Sequence, residues 1–491
     1  MSTWNAVTGV RAAKIVLVAT MSILMVLPSA TAHHGDTDEQ AEFDAPGPVQ
    51  LYHQYLFLEQ ELKDYQTRFP KFMKYEIIGQ SVLGLNLYGV QITNFESKDP
   101  PVEARPHIYF DGSIHSNEQL GMEAAIDIMR WLLNDYAKDP LAKKAVDTRH
   151  TFIVPLVNPD GNMRDTRQNI NNVDLNRNFP HGWGGPGSAA KGAKPLSEPE
   201  TQAVAKYLAK VKPVYSNSFH TGTMMLLHPY GNFTRDSKVN SPDHDLFTKI
   251  CSEIQEEMNK FHGRPVPCGQ VYSTIYPASG TTVDYVYVEF GANSWTFEVD
   301  GEQNLWVHPG DEASLRTRLG ETWAAVKHAY ENVERYGALL EILEIGSRTR
   351  DGKVIGLDLK VKNTGMGASS NGVVQLVLPD GSKGPSITLG TPIAPDEVRT
   401  IRLPAKVDVP AGSKVTVELS YNKTFYKGIS DTKLVTLDAV KSGGAVVLRQ
   451  ADGSAGSLDV ENTNEGGSPG FDLVFLAVGA LGGAWLFRRR D

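Results

Sequence analysis

Short apolar runs in this chain repeatedly end on residues that could do chemistry. The run 107–110 leads into His115-Ser116-Asn117-Glu118, 214–219 ends at His220, and 294–297 ends at Glu298. A fourth run, 151–157, passes into the turn Asn158-Pro159-Asp160-Gly161, with Asp174-Leu175-Asn176-Arg177-Asn178-Phe179 downstream. An imidazole and a carboxylate three residues apart can chelate one zinc ion when the backbone turns between them. Among 13 histidines roughly one such pair arises by chance, and a lone histidine at a strand end is more often a satisfied core residue. Four run ends delivering His, Glu, Asn-Arg, His and Glu predict a single polar site.

The elements that must hold such a site are legible from residue 51 to 337. Short apolar strands alternate there with longer amphipathic segments, the pattern of an α/β domain. The segment 121–136, with Ile126, Met129 and Leu133 on one face, and the segment 198–210 read as helices. Open α/β sheets place their ligands at the carboxyl ends of strands, which is where the polar residues fall. After Gly337 the pattern changes to short alternating runs at 354–361, 373–378, 398–403 and 414–419, separated by turns such as Asn363-Thr364-Gly365. That spacing predicts an antiparallel β-sandwich of about 100 residues over 338–440, with no catalytic constellation in it. Its Val361-Lys362-Asn363-Thr364-Gly365 stretch resembles the immunoglobulin-like adhesion modules of prokaryotic surfaces.

The whole chain, 491 residues, is too long for one ordinary domain, and its 41% hydrophobic content suffices for a sizeable core. A net charge of −9 argues against a nucleic-acid or anionic-membrane binder, either of which needs a basic face. Arg11 and Lys14, an apolar run from 15 to 27 and Ala30-Thr31-Ala32 predict an export signal over 1–32. A flexible linker is expected over 441–468, rich in Gly, Ser, Asn and acids from Ala451. Pro469-Gly470-Phe471, the apolar run 473–487 and three arginines follow, and 469–491 resembles the Pro-Gly-Phe sorting tail of archaeal surface proteins. That resemblance implies lipid or membrane anchoring through the C-terminus and an extracellular, surface-tethered protein. The two cysteines, Cys251 and Cys268, are too few for a disulfide framework or a cysteine metal site, and leave one bridge or two thiols open.

The order of motifs carries a further resemblance. His115-x-x-Glu118 with a distant His220 resembles the zinc triad of the funnelin metallocarboxypeptidases, the pancreatic carboxypeptidase A/B family. Asn158-Pro159-Asp160-Gly161, Asp174-x-Asn176-Arg177-Asn178, Phe219-His220 with Pro229-Tyr230-Gly231, Ile275-Tyr276-x-Ala278-Ser279-Gly280 and Phe297-Glu298 fall in family order. It implies a catalytic domain over 33–337 with a mixed, mostly buried sheet flanked by helices, ahead of the sandwich.

By this resemblance His115, Glu118 and His220 hold one Zn2+ and leave a position for water. Asp174 accepts the ring hydrogen of His115 and fixes its tautomer. Glu298 is the general base, and Arg167 stabilises the oxyanion, with Arg164 a weaker candidate by spacing. Asn176, Arg177 and Tyr276 clamp the free carboxylate at the C-terminal end of a peptide, for which arginine's planar fork is suited. Val283 aligns with the base of the pocket for the terminal side chain and Val271 with its wall, predicting apolar or aromatic C-terminal residues; a small shift would turn Asp284 inward instead. His228 reads as a strand or rim residue. The implied activity is exopeptidase cleavage at peptide and protein C-termini. The competing readings are a deacylase or amidase on the same scaffold and a catalytically inactive surface binding protein.

Overall fold

In the computed structural model, which describes residues 52–450 apart from 264, 300–311, 352, 424–429 and 443–444, eight strands make one mixed sheet. They are β1 (Met73–Gln80), β2 (Asn86–Ile92), β3 (His107–Gly112), β4 (His150–Val154), β5 (Tyr215–Thr221), β6 (Met225–His228), β7 (Cys268–Gln270) and β8 (Asn293–Val299), in spatial order β1-β2-β4-β3-β5-β8-β6-β7. The central strands β4, β3, β5 and β8 run parallel, β1 and β2 pair antiparallel to their neighbours, and β6 pairs antiparallel with β8 but parallel with β7. Every residue of β4, β5 and β8 is buried, as expected for parallel strands covered on both faces.

The pleat sends alternate residues to two separate cores. Ile108, Phe110, Phe219, Trp295 and Phe297 join Ile126, Met129 and Leu133 of the Leu120–Asn134 helix on one face. Tyr109 and Val154 join Val204 and Leu208 of the Pro199–Val211 helix, and Val286 of the Thr282–Phe290 helix, on the other. Both expected helices form within two residues of their predicted ends. The run 151–157 differs, because its strand stops at Val154 and Pro155, which has no N–H to give the ladder, follows.

Eight more strands build the C-terminal part: β9 (Leu340–Arg350), β10 (Lys353–Asn363), β11 (Ser370–Val377), β12 (Lys383–Thr388), β13 (Val398–Val407), β14 (Lys414–Asn422), β15 (Ser430–Ser442) and β16 (Ala445–Gln450). They form two antiparallel sheets, β13-β10-β9 and β12-β11-β14-β15-β16. Leu357, Leu359, Val361, Val374, Leu376, Val415, Val417 and Leu419 share their core, each pair of neighbours two residues apart as a half-buried strand requires. The predicted linker boundary at 441 is corrected here. Residues 445–450 form an edge strand on β15, because Leu448 buries its side chain in the sandwich core and Leu448 N donates to Ser347 Oγ. The export signal and the tail from 451, with the sorting segment at 469–491, lie outside the described residues. Among the described residues no helix is long and apolar enough to cross a membrane.

Cys251 and Cys268 are bridged, with their Cα atoms 5.7 Å apart, tying the His244–His262 helix to β7. A cross-link spanning 17 residues removes about 3 kcal/mol of unfolded-chain entropy. Replacing both cysteines by serine should therefore lower the denaturant midpoint of unfolding by the equivalent of about 3 kcal/mol, and an unchanged midpoint would show the bridge to be without structural weight.

Candidate metal centre and active site

The ligand loop reaches the sheet because two glycines let a helix lie against strand ends. A Cβ on Gly112 would stand 2.2 Å from Gly121 O, and one on Gly121 would stand 2.5 Å from Phe219 O. The start of the Leu120–Asn134 helix therefore sits directly on the ends of β3 and β5, bringing residues 113–119 over His220. In register, His220 of β5 pairs with Glu298 of β8, so the two point to the same face.

Three donor groups converge there. His115 Nδ1 lies 2.9 Å from Glu118 Oε1, His220 Nδ1 lies 2.9 Å from Glu118 Oε2, and the two Nδ1 atoms are 3.1 Å apart. All three residues are buried, and among the described residues theirs is the group of acidic and imidazole side chains whose ligand atoms lie within 4.8 Å of one another. Tetrahedral ligands about 2.1 Å from zinc stand roughly 3.4 Å from each other. Two imidazoles and a carboxylate at nearly that separation fit a zinc ion with one position left open. Burial would raise the Glu118 carboxyl, but His115 and His220 hold it well below the usual carboxylate range, so it is charged and ready to ligate.

Asp174, at the start of a short 3-10 turn, accepts from His115 Nε2 at 2.9 Å. That bond places the ring proton on Nε2 and leaves the Nδ1 lone pair free for a cation. Burial would raise Asp174 as well, yet the His115 ring and neighbouring arginines hold it well below its ordinary value. Arg167 Nη1 donates to Glu118 Oε1 at 2.8 Å, and its Nε donates to Asp174 Oδ2 at 3.1 Å. Arg164 is exposed, and the structure brings Arg167, not Arg164, to the centre. The Glu298 carboxyl is buried, and this desolvation, with the Glu118 charge beside it, pushes its pKa up to about 7.

The remaining predicted residues divide. Arg177 is buried with Nε donating to Gly187 O and Nη1 to Asn176 O, which holds the guanidinium plane in place. Tyr276 is 42% exposed in the irregular stretch before the Thr282–Phe290 helix. The Asn176 amide is engaged: Oδ1 accepts from Thr282 N at 2.9 Å, and Nδ2 lies 3.2 Å from His220 Nε2. Val283 is buried in an apolar cluster with Met225, Leu227, Val271 and Ala278. Asp284 is buried and engaged by the backbone, its two carboxylate oxygens accepting from Gly231 N at 3.1 and 2.9 Å, and burial pushes its carboxyl up to about 7. His228 is buried on β6, stacked 4.7 Å from Phe247, its Nδ1 facing Pro229 O.

Sequence reasoning missed Asp111 and Ser218, which line up beneath His220. Ser216, Ser218 and His220 alternate along a strand buried on both faces, and alternating polar residues in such a strand were the signal.

Comparison with known proteins bears on the family. The sequence profile of the zinc carboxypeptidase family matches residues 58–325, more than half of the chain. Carboxypeptidase SOL1 of Arabidopsis thaliana is 30% identical over 257 residues, covering 51% of this chain and 50% of its own length. Carboxypeptidase A2 of Rattus norvegicus is 27% identical over 255 residues, 47% of this chain and 59% of its own. The chain thus spans about half the length of the plant relative. Among solved structures, thrombin activatable fibrinolysis inhibitor matches with a TM-score of 0.52 at 24% identity, over 58% of this chain and 75% of that one, a likeness of fold. This chain belongs to the zinc carboxypeptidase family.

Proposed function

We propose that the protein is a zinc-dependent exopeptidase of the pancreatic A/B-like branch that hydrolyses the C-terminal peptide bond of peptides and proteins, preferring apolar or aromatic terminal residues. The observation that carries this reading is the convergence of the His115, Glu118 and His220 donors with the buried Glu298 carboxyl on one sheet face. Bound zinc would supply Lewis acidity, polarising the scissile carbonyl and acidifying the attacking water. Glu298 takes the proton of that water as its oxygen attacks the carbonyl carbon. The same carboxyl then delivers the proton to the amide nitrogen as the C–N bond breaks, releasing a shortened peptide and a free amino acid. Arg167 offers its guanidinium to the developing oxyanion. Arg177 pairs with the substrate's terminal carboxylate, together with Asn176 and with Tyr276 from its exposed stretch. A pairing of that kind separates a chain end from any internal bond.

The pocket assignment rests on the cluster around Val283 and on the engagement of the Asp284 carboxylate by Gly231 N. An apolar floor gains about 0.8 kcal/mol for each methylene it buries and offers no partner to a cation. Peptides ending in Phe, Tyr or Leu should therefore be cleaved with higher kcat/KM than matched peptides ending in Lys or Arg. Val283→Asp should move preference toward the basic ends. Equal rates on basic and apolar ends in the unaltered protein would sink the pocket.

Digestion of a mixed peptide pool, read by mass for loss of C-terminal residues, tests the activity. One zinc per chain without such loss would mean an amidase or deacylase, and no zinc a binding module. An extracellular, surface-anchored setting is part of the same proposal. It is supported by the leader-like start, the Pro-Gly-Phe tail and the Cys251–Cys268 bridge, which persists in oxidising compartments.

A further inference from the structure

The two candidate zinc histidines are supported unequally. His115 Nε2 meets a carboxylate, so its tautomer is settled by Asp174. His220 Nε2 meets two neighbours of opposite character: Asn176 Nδ2 at 3.2 Å and Ser218 Oγ at 3.5 Å.

Hydrogen-bond bookkeeping gives each neighbour a definite role. Thr282 N is a backbone donor, so Asn176 must turn its oxygen toward it and its NH2 group toward His220. The amide can therefore only donate to Nε2. Ser218 and Asp111 are cross-strand partners on β5 and β3, and the Ser218 hydroxyl donates to Asp111 Oδ1 at 2.5 Å. Its single proton is thereby committed, and toward His220 the hydroxyl can only accept. With the ring proton on Nδ1, His220 donates to Glu118 Oε2 and takes the Asn176 bond, and its Nδ1 cannot bind a cation. With the proton on Nε2, the Nδ1 lone pair is available to a metal, and Nε2–H needs an acceptor. Ser218 supplies it.

Resting on the metal site put forward above, we propose that Asp111 and Ser218 form a positioning pair that selects the metal-ligating tautomer of His220, and that Asn176 opposes it. The carboxylate reaches the second histidine through a hydroxyl, whereas it meets the first directly. Asn176 thereby joins the metal centre to the helix that carries Val283, because the same amide holds Thr282 N.

The two contacts predict effects of opposite sign on zinc affinity, a property separate from turnover. Zinc dissociation constants would be measured by competition with a chromogenic chelator on the full chain, alongside thermal unfolding of the stripped proteins. Ser218→Ala should weaken zinc binding about 10- to 100-fold, the usual effect of losing a partner behind a metal ligand. Ser218→Thr, which keeps the hydroxyl on a strand, should restore it to within about threefold of the unaltered protein by the same reasoning. Asn176→Ala should leave zinc binding unchanged or tighter. Unaltered affinity in Ser218→Ala, or weakening in Asn176→Ala to match it, overturns the assignment. Should Ser218→Ala not fold, the Asn176→Ala result decides alone, since weakening there contradicts the proposal. An unaltered protein that binds no zinc takes down the metal site itself, which separates that failure from this one.

Discussion

Glu298→Gln should retain one zinc per chain while kcat falls by roughly 10²–10⁴-fold, because the amide preserves shape and loses the base. Glu298 pairs with His220 across β5 and β8 and contributes nothing to the donor triad, so metal content and turnover should separate cleanly. Its carboxyl is pushed up to about 7 by burial, near where a general base works best. The working form is the carboxylate, so kcat/KM should fall as pH drops through its pKa. The zinc charge would pull that pKa lower, placing the acid limb below neutrality. Steady-state kinetics on a blocked dipeptide ending in Phe, with metal content measured on the same samples, decide the matter. If the variant keeps most of its activity, the base lies elsewhere.

Chelation should abolish hydrolysis, added zinc should restore it, and stability should follow the metal. Glu118 already concentrates partners at one point: Arg167 Nη1, Thr221 N and both imidazoles. A ligand that binds only the folded chain stabilises it by about 4 kcal/mol at a thousandfold excess over its dissociation constant. Zinc should therefore raise the unfolding temperature of the chelated protein by several degrees. His220→Ala should lose both that response and the activity, since it deletes one of three donors. The histidines must give up their protons to ligate, so zinc affinity should also weaken on acidification. An unfolding temperature indifferent to zinc, or a zinc-activated His220→Ala protein, would rule out the triad.

How much of this was legible in the sequence varies with how far apart the interacting residues lie along the chain. The donor types and their place after apolar runs could be read directly, because open α/β sheets bind their ligands beyond the carboxyl ends of their strands. His115, Glu118, His220 and Glu298 could be picked out as candidates in that way, their roles came from the order of motifs, and the change of periodicity after Gly337 was legible on its own. Direction and pairing could not be read. Val283 and Asp284 are neighbours on one helix, about 100° apart around its axis. Which of them faces the pocket depends on how the helix is rotated, and that is set by the Thr281 cap and by Gly231 N. The role of Asn176 turns on Thr282, far along the chain. Asp111 and Ser218 meet only because β3 and β5 pair in one register out of several, and a one-residue slip would send them to opposite faces. The Cys251–Cys268 bridge and the β16 edge are of the same kind, since each depends on a distance between backbones that composition does not encode. Residue types and local period determined what chemistry the chain carries, and strand register and helix rotation decided which side chains carry it together.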